Sequence, residues 1–197
     1  MSDTVNAGAV DGRRLRSERS RKAIIDAALA LMEEGVLVPT AQQISERAGV
    51  GIRSFFRRFE DMEALFAGVD SQIRDSYEAL FLGGDRNGTL EERIEHAVER
   101  HADAYECVKT VVLSTQAQLW RSEVLRRNYA RNQRSLRKDL DNWLPELKSL
   151  PRDQREAVDA VASFEMWHRL REHQNLSKKA SICLVTGLLK SLLGARG

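Results

Sequence analysis

Three arginines, Arg53, Arg57 and Arg58, fall within one short stretch of this sequence. A guanidinium is a planar fork of donors that can bond guanine O6 and N7 together or grip a phosphate. In a helix from about Ile52 to Arg58, Phe55 and Phe59 lie one turn apart and form an apolar face. Ile52, Arg53 and Arg57 then point away from that face, so the rings hold the helix down while the cations look outward. An isolated Arg-Arg pair is most simply a solvated basic face, and only its surroundings give it another use.

Those surroundings are specific. In Pro39-Thr40-Ala41-Gln42-Gln43, Thr40 is placed to cap a helix and Gln43, three residues on, to complete a capping box. Ile44 and Ala48 follow one turn apart, and Gly49 permits a sharp turn before the arginine-bearing helix. Upstream, Ile24, Ile25, Ala28, Leu31 and Met32 share one helical face that Gly35 terminates. Residues 40–59 thus read as a helix-turn-helix, whose first helix braces against a nucleic-acid backbone while the second enters a major groove about 12 Å wide. The candidate DNA-contacting residues are Thr40, Gln42, Ile52, Arg53, Ser54, Phe56, Arg57 and Arg58. The segment Arg13–Lys22 carries six basic residues against one acidic. It either lies along phosphates or in the minor groove, or is a solvated arm.

The rest of the chain reads as helices. Asp61 caps a fourth, with the stripe Leu65, Val69, Ile73, Tyr77 and Leu80. Gly83–Gly88 is turn-rich, and Thr89-Leu90-Glu91-Glu92 restarts a helix whose stripe runs Leu90, Ile94, Val98, Tyr105, Val108, Val112 and breaks before Trp120. Another begins after Ser122 and ends near Pro145, a further one starts at Asp153, and Ser177 caps the last. The expectation is an all-α fold of about nine helices: residues 1–12 a disordered tail, 13–60 a helix-turn-helix head, 61–197 a larger helical body.

The 197 residues carry 30% charged side chains and a formal net charge of only +2, so a local patch rather than the total charge must attract nucleic acid. Cys107 and Cys183 lack metal-ligand spacing and read as buried free thiols, without disulfide or zinc site. No signal peptide and no apolar run near the about 20 residues that span a bilayer is present, which implies a cytoplasmic protein with no membrane partner. No Ser-His-Asp order, HExxH, phosphate loop or paired carboxylates point to an enzyme, so no catalytic residue, cofactor or metal is expected.

Residues 21–65 resemble the DNA-binding head of the TetR family of bacterial regulators. The match rests on Arg21, Ile24, Ala27, Ala28 and Gly35, then Thr40, Ile44, Ala48-Gly49-Val50, Phe59, Glu63 and Leu65, with spacing kept throughout. The resemblance implies a homodimer that binds a palindromic double-stranded operator and releases it when a small molecule enters the body, most simply as a repressor. Phe56, Arg58 and Met62 stand where the family usually has tyrosine, histidine and lysine, and Gly51 where serine often caps. The alternative is a regulatory adaptor of the same fold that no longer binds DNA.

The resemblance places the effector pocket between about residues 90 and 170. His96, His101, Tyr105, Gln116, Gln118, Trp120, Trp143 and His168 supply polar and aromatic groups there, with His101, Tyr105 and Trp120 the chosen contacts. Arg127, Arg131, Arg134 and Lys138 form a basic stripe, most simply a solvated back but also suited to an anionic ligand or partner. Val161, Phe164 and Trp167, with Ile182, Val185, Leu188, Leu189 and Leu192, offer more apolar surface than one subunit can cover, and a two-fold four-helix interface would bury it.

Overall fold

The structure, a computed structural model, describes residues 4–194. Within them the chain forms helices and no strand: α1 (Thr4–Glu33), α2 (Ala41–Arg47), α3 (Ile52–Arg58), α4 (Met62–Phe81), α5 (Leu90–Gln118), α6 (Glu123–Trp143), α7 (Arg152–Val161), α8 (Phe164–His168) and α9 (Lys178–Leu193). A 3₁₀ turn, Pro145–Ser149, follows α6, and a π-helical turn, Arg169–His173, follows α8. None of these helices is long and apolar enough to cross a membrane. Residues 4–12, expected as a disordered tail, belong to α1. Extending a nucleated helix adds one hydrogen bond per residue, and no proline upstream of Pro39 interrupts it.

Contacts sort the chain into two compact units. One comprises the residues up to Ile73 with Thr110–Tyr129; the other comprises Arg74–Lys109 with the residues from Ala130 onward.

The first unit is built on Ile24, Ile25, Ala27, Ala28, Leu31, Ile44, Phe55, Phe59, Leu65 and Val69, all buried. Local signals set its turns. The α1 end closes by paired bonds from Gly35 N to Met32 O and Val36 N to Leu31 O, and α2 ends alike, through Gly49 N to Glu46 O and Val50 N to Ser45 O. Gly49 has φ +65°, a left-handed conformation that costs glycine little. Asp61 caps α4 through the Ala64 N–H at 2.8 Å. The end of α5 joins this unit by long-range polar bonds: Ser114 Oγ and Gln118 Nε2 both donate to the Leu37 carbonyl, at 2.7 and 3.2 Å. Glu63 Oε2 accepts from Val124 N at 2.9 Å at the start of α6.

The second unit packs Ile94, Ala97, Val98, Leu140, Trp143, Leu144, Leu147, Val158, Leu170, Val185 and Leu189 into one core. Trp143 is fully buried. Gly84, at φ +85°, lies so close that an added Cβ would stand 2.7 Å from its ring, and the Arg86 guanidinium covers the ring at 4.8 Å. Helix α5 runs without a break to Gln118, and a turn at Leu119–Arg121 separates it from α6, which Ser122 caps through Leu125 N at 3.0 Å. Ser177 caps α9.

Both cysteines are exposed, contrary to the expectation of buried thiols. Each falls between the buried positions of its helix: Cys107 lies beside buried Ala104, Tyr105 and Val108, and Cys183 between buried Ser181 and Val185. Burial of a free thiol follows helix face, not residue type.

Candidate nucleic-acid interface

Helix α3 is seven residues long and stands on two aromatic rings. Phe55 is 0% and Phe59 1% exposed, and full burial of such a ring stabilises by about 1.5–3 kcal/mol. Arg21 on α1 pins the C-terminal end: its Nη1 donates to the Arg58 carbonyl at 3.1 Å and its guanidinium lies over the Phe59 ring at 4.2 Å. That satisfies a helix-terminal carbonyl and adds a cation–π contact. With its inner face and its end held, the helix presents a rigid outer face.

On that outer face Ile52, Arg53, Phe56 and Arg57 are exposed, as the Phe55/Phe59 spacing predicts. Among the described residues Arg53 makes no side-chain hydrogen bond, whereas Arg57 Nη2 donates to Ser54 Oγ at 3.2 Å. Arg58 is half-buried. Gly51 occupies the N-cap with no side-chain bond, leaving the first N–H groups of α3 available to an acceptor. Thr40 performs the capping predicted for it. Its Oγ1 accepts from Gln43 N at 3.2 Å, and Gln43 Oε1 accepts from Thr40 N at 2.9 Å. Gln42 is exposed, with its amide N–H donated to Glu46 at 2.6 Å. Met62 packs against the core of this unit rather than facing outward.

The basic arm is ordered as part of α1 from Arg14. Arg14 pairs with Glu18 at 3.0 Å and Lys22 with Asp26 at 2.7 Å, both exposed and four residues apart. The Lys22 ammonium holds the Asp26 carboxyl below its ordinary value against the opposing effect of burial, with the Gln72 bond adding to the lowering. Arg21 is committed to α3, so among the described side chains Arg16 and Arg19 are the arm's exposed cations outside these contacts.

The proposed effector contacts separate. His101 and Tyr105 line a cavity of about 20 Å³ in the second unit, with Ala97, Val98, Leu140, Val161 and Trp167 among its walls. That volume holds about one water molecule. Trp120 lies in the turn after α5, is 80% exposed and does not line it. The Tyr105 hydroxyl donates to the Ala162 carbonyl at 2.8 Å. His101 Nε2 donates to Asp139 Oδ2 at 3.0 Å, and Arg86 Nη2 to Asp139 Oδ1 at 2.7 Å. Burial alone would raise the Asp139 carboxyl, but the His101 bond and charge, with Arg86, outweigh it and leave it below its ordinary value. Of the other polar and aromatic groups in this region, Gln118 is buried at the Leu37 carbonyl, Gln116 donates to the Tyr129 hydroxyl, Trp143 is core, and His96 meets the Asp85 carbonyl. Arg86, Asp139 and Ser114 carried no sequence signal, because their partners lie 38 to 77 residues away.

The apolar residues expected at a dimer face divide as well. Phe164, Trp167, Val185 and Leu189 are buried in their own unit, and Val161, Ile182 and Leu192 are half-buried and pack against its core. Leu188 alone of the eight is exposed. The outward face of α9 is instead Cys183, Leu184, Gly187 and Leu188. Sixteen largely apolar residues, Lys178–Leu193, leave the sequence without the contrast that separates an inner face from an outer one. Arg127, Arg134 and Lys138 are exposed and Arg131 half-buried. No group of three or more His, Cys, Asp or Glu among the described residues is arranged to hold a metal.

Residues 24–69 match the family described as bacterial regulatory proteins, tetR family. A transcriptional regulator from Rhodococcus sp. Rha1 shares the fold, with a TM-score of 0.65 over 90% of this chain and 96% of that one, at 15% identity. A protein from Streptomyces coelicolor A3(2) assigned as a transcriptional regulator shares it with a TM-score of 0.57 over 89% and 98%, at 20% identity. No curated protein sequence matches the chain.

Proposed function

We propose that this chain, a TetR-family transcriptional regulator with a DNA-binding helix-turn-helix at its head, is a homodimeric repressor that leaves a palindromic operator when a small molecule binds its body. The observation that carries the reading is the outer face of α3, where Arg53 and Arg57 stand exposed above buried Phe55 and Phe59. Residues 13–60 read DNA, and residues 61–197 take the effector and dimerise, in the cytoplasm. Two heads on a two-fold axis match a palindrome. The exposed apolar face of α9 around Leu184 and Leu188 supports the pairing.

The effector site is built on the cavity beside His101 and Tyr105. Because that space holds about one water, an effector enters only as its walls part. Helix α5 contributes those two residues and also Ser114 and Gln118, whose bonds to the Leu37 carbonyl precede the capping box of α2.

The test is selection of bound duplexes from a random DNA pool, followed by affinity against salt. Log affinity falls linearly with log salt, and Arg58→Ala flattens the slope by about one phosphate contact. If no duplex is retained even at low salt, the chain is an adaptor of this fold and the repressor reading fails.

A further inference from the structure

The outer face of α3 carries two stripes. Arg53 and Arg57 form one; Ile52 and Phe56, also one turn apart, form the other beside it. Ile52 is 36% and Phe56 50% exposed, although burying each would be favourable. Phe56 is not loose: its ring meets the edge of the buried Phe55 ring at 5.2 Å between centroids and 78° between planes. No acidic residue lies within Ile52–Arg58. The face therefore suits a partner that is anionic overall yet offers apolar groups at fixed spacing next to acceptors. In the major groove one base provides such a group, thymine through its C5 methyl, and guanine provides the paired acceptors an arginine fork takes.

We propose that Ile52 and Phe56 read thymine C5 methyl groups, so that each operator half-site places thymine beside the guanine taken by Arg53 or Arg57. The proposal rests on the head being a DNA reader and adds what it reads. Apolar readout supplies specificity here without a hydroxyl or amide on the stripe. It also accounts for a face on which two of the four exposed side chains have no polar group.

The experiment uses the full chain and the tightest duplex recovered from a random pool. Each thymine in a half-site is replaced singly by deoxyuridine, which removes only the methyl, and affinity is measured by fluorescence anisotropy for the wild type, Phe56→Ala and Ile52→Ala. At one or two positions the wild type loses about fourfold in affinity, the worth of one buried methyl. In the variant lacking the matching side chain that penalty disappears. Both side chains are partly exposed, and circular dichroism checks that each variant keeps its helices. Equal affinity for thymine and uracil duplexes by a wild type that still selects sequence overturns the proposal, as does a penalty that persists in both variants. Failure to bind any duplex at low salt overturns the repressor reading and this one with it. Capture by a protein surface in place of DNA would appear as that same failure.

Discussion

Asp139 joins two elements of the second unit through one carboxylate. Its Oδ1 accepts from Arg86 at 2.7 Å and its Oδ2 from His101 at 3.0 Å, and Asp139 is 8% exposed. Asp139→Asn keeps the shape, but the amide offers one acceptor and one donor group, so it cannot accept from both partners as now arranged. Removing one partner of a fully buried pair costs about 3–5 kcal/mol. The Arg86 side chain is 29% exposed and keeps some water, which places the expected loss at about 2–3 kcal/mol. For a chain of this size each kcal/mol moves the melting midpoint by about 2–4 °C, so the variant melts roughly 4–12 °C lower at neutral pH.

The pH dependence has a definite sign. The folded carboxyl sits below its ordinary value, so its contribution is complete above the unfolded value near pH 4 and is lost as pH falls through the folded one. The carboxylate's part of the gap between wild type and Asp139→Asn is therefore complete above about pH 5 and is lost as pH falls below that. Thermal melts followed both by far-ultraviolet circular dichroism and by tryptophan fluorescence check this, since Arg86 covers the Trp143 ring. A variant within about 0.5 kcal/mol of wild type at pH 7 would show that the carboxylate's charge contributes nothing to folding, and the reasoning would be wrong.

Other positions give sharper local tests. Gly84→Ala puts a Cβ 2.7 Å from Trp143 at φ +85°, and a loss of about 2 kcal/mol or more is expected in urea denaturation; an unchanged midpoint would mean the indole moves aside freely. Arg53→Ala relaxes base preference at one operator position by about 1–3 kcal/mol if its fork is bidentate, whereas uniform weakening over all sequences assigns it to phosphate. If the proposed homodimer pairs through the exposed face of α9, Leu188→Glu yields monomers by sedimentation while leaving the helical content intact. A dimer that survives the change would place the two-fold contact elsewhere.

The helix-turn-helix was legible because its determinants are short-range. Thr40 and Gln43 satisfy each other three residues apart, Gly49 supplies the left-handed turn, Asp61 caps α4, and Phe55 and Phe59 repeat at one turn. Such bonds close within a few residues, so residue type and spacing alone specify them. The outward direction of Arg53 and Arg57 follows from the same periodicity.

Other features depend on partners distant in the chain. Gln118 and Ser114 reach a carbonyl 81 and 77 residues earlier, and Asp139 gathers Arg86 and His101 from 53 and 38 residues away. Nothing in the neighbouring sequence encodes these meetings. In α9 the apolar pattern nearly encircles the helix, so only packing determines that Val185 and Leu189 turn inward while Leu184 and Leu188 face out. The chain by itself determined its helix-turn-helix and the direction of its arginines through local hydrogen bonding and period. Tertiary contact decided which apolar and polar residues were left over for a partner, because burial is a property of what lies opposite.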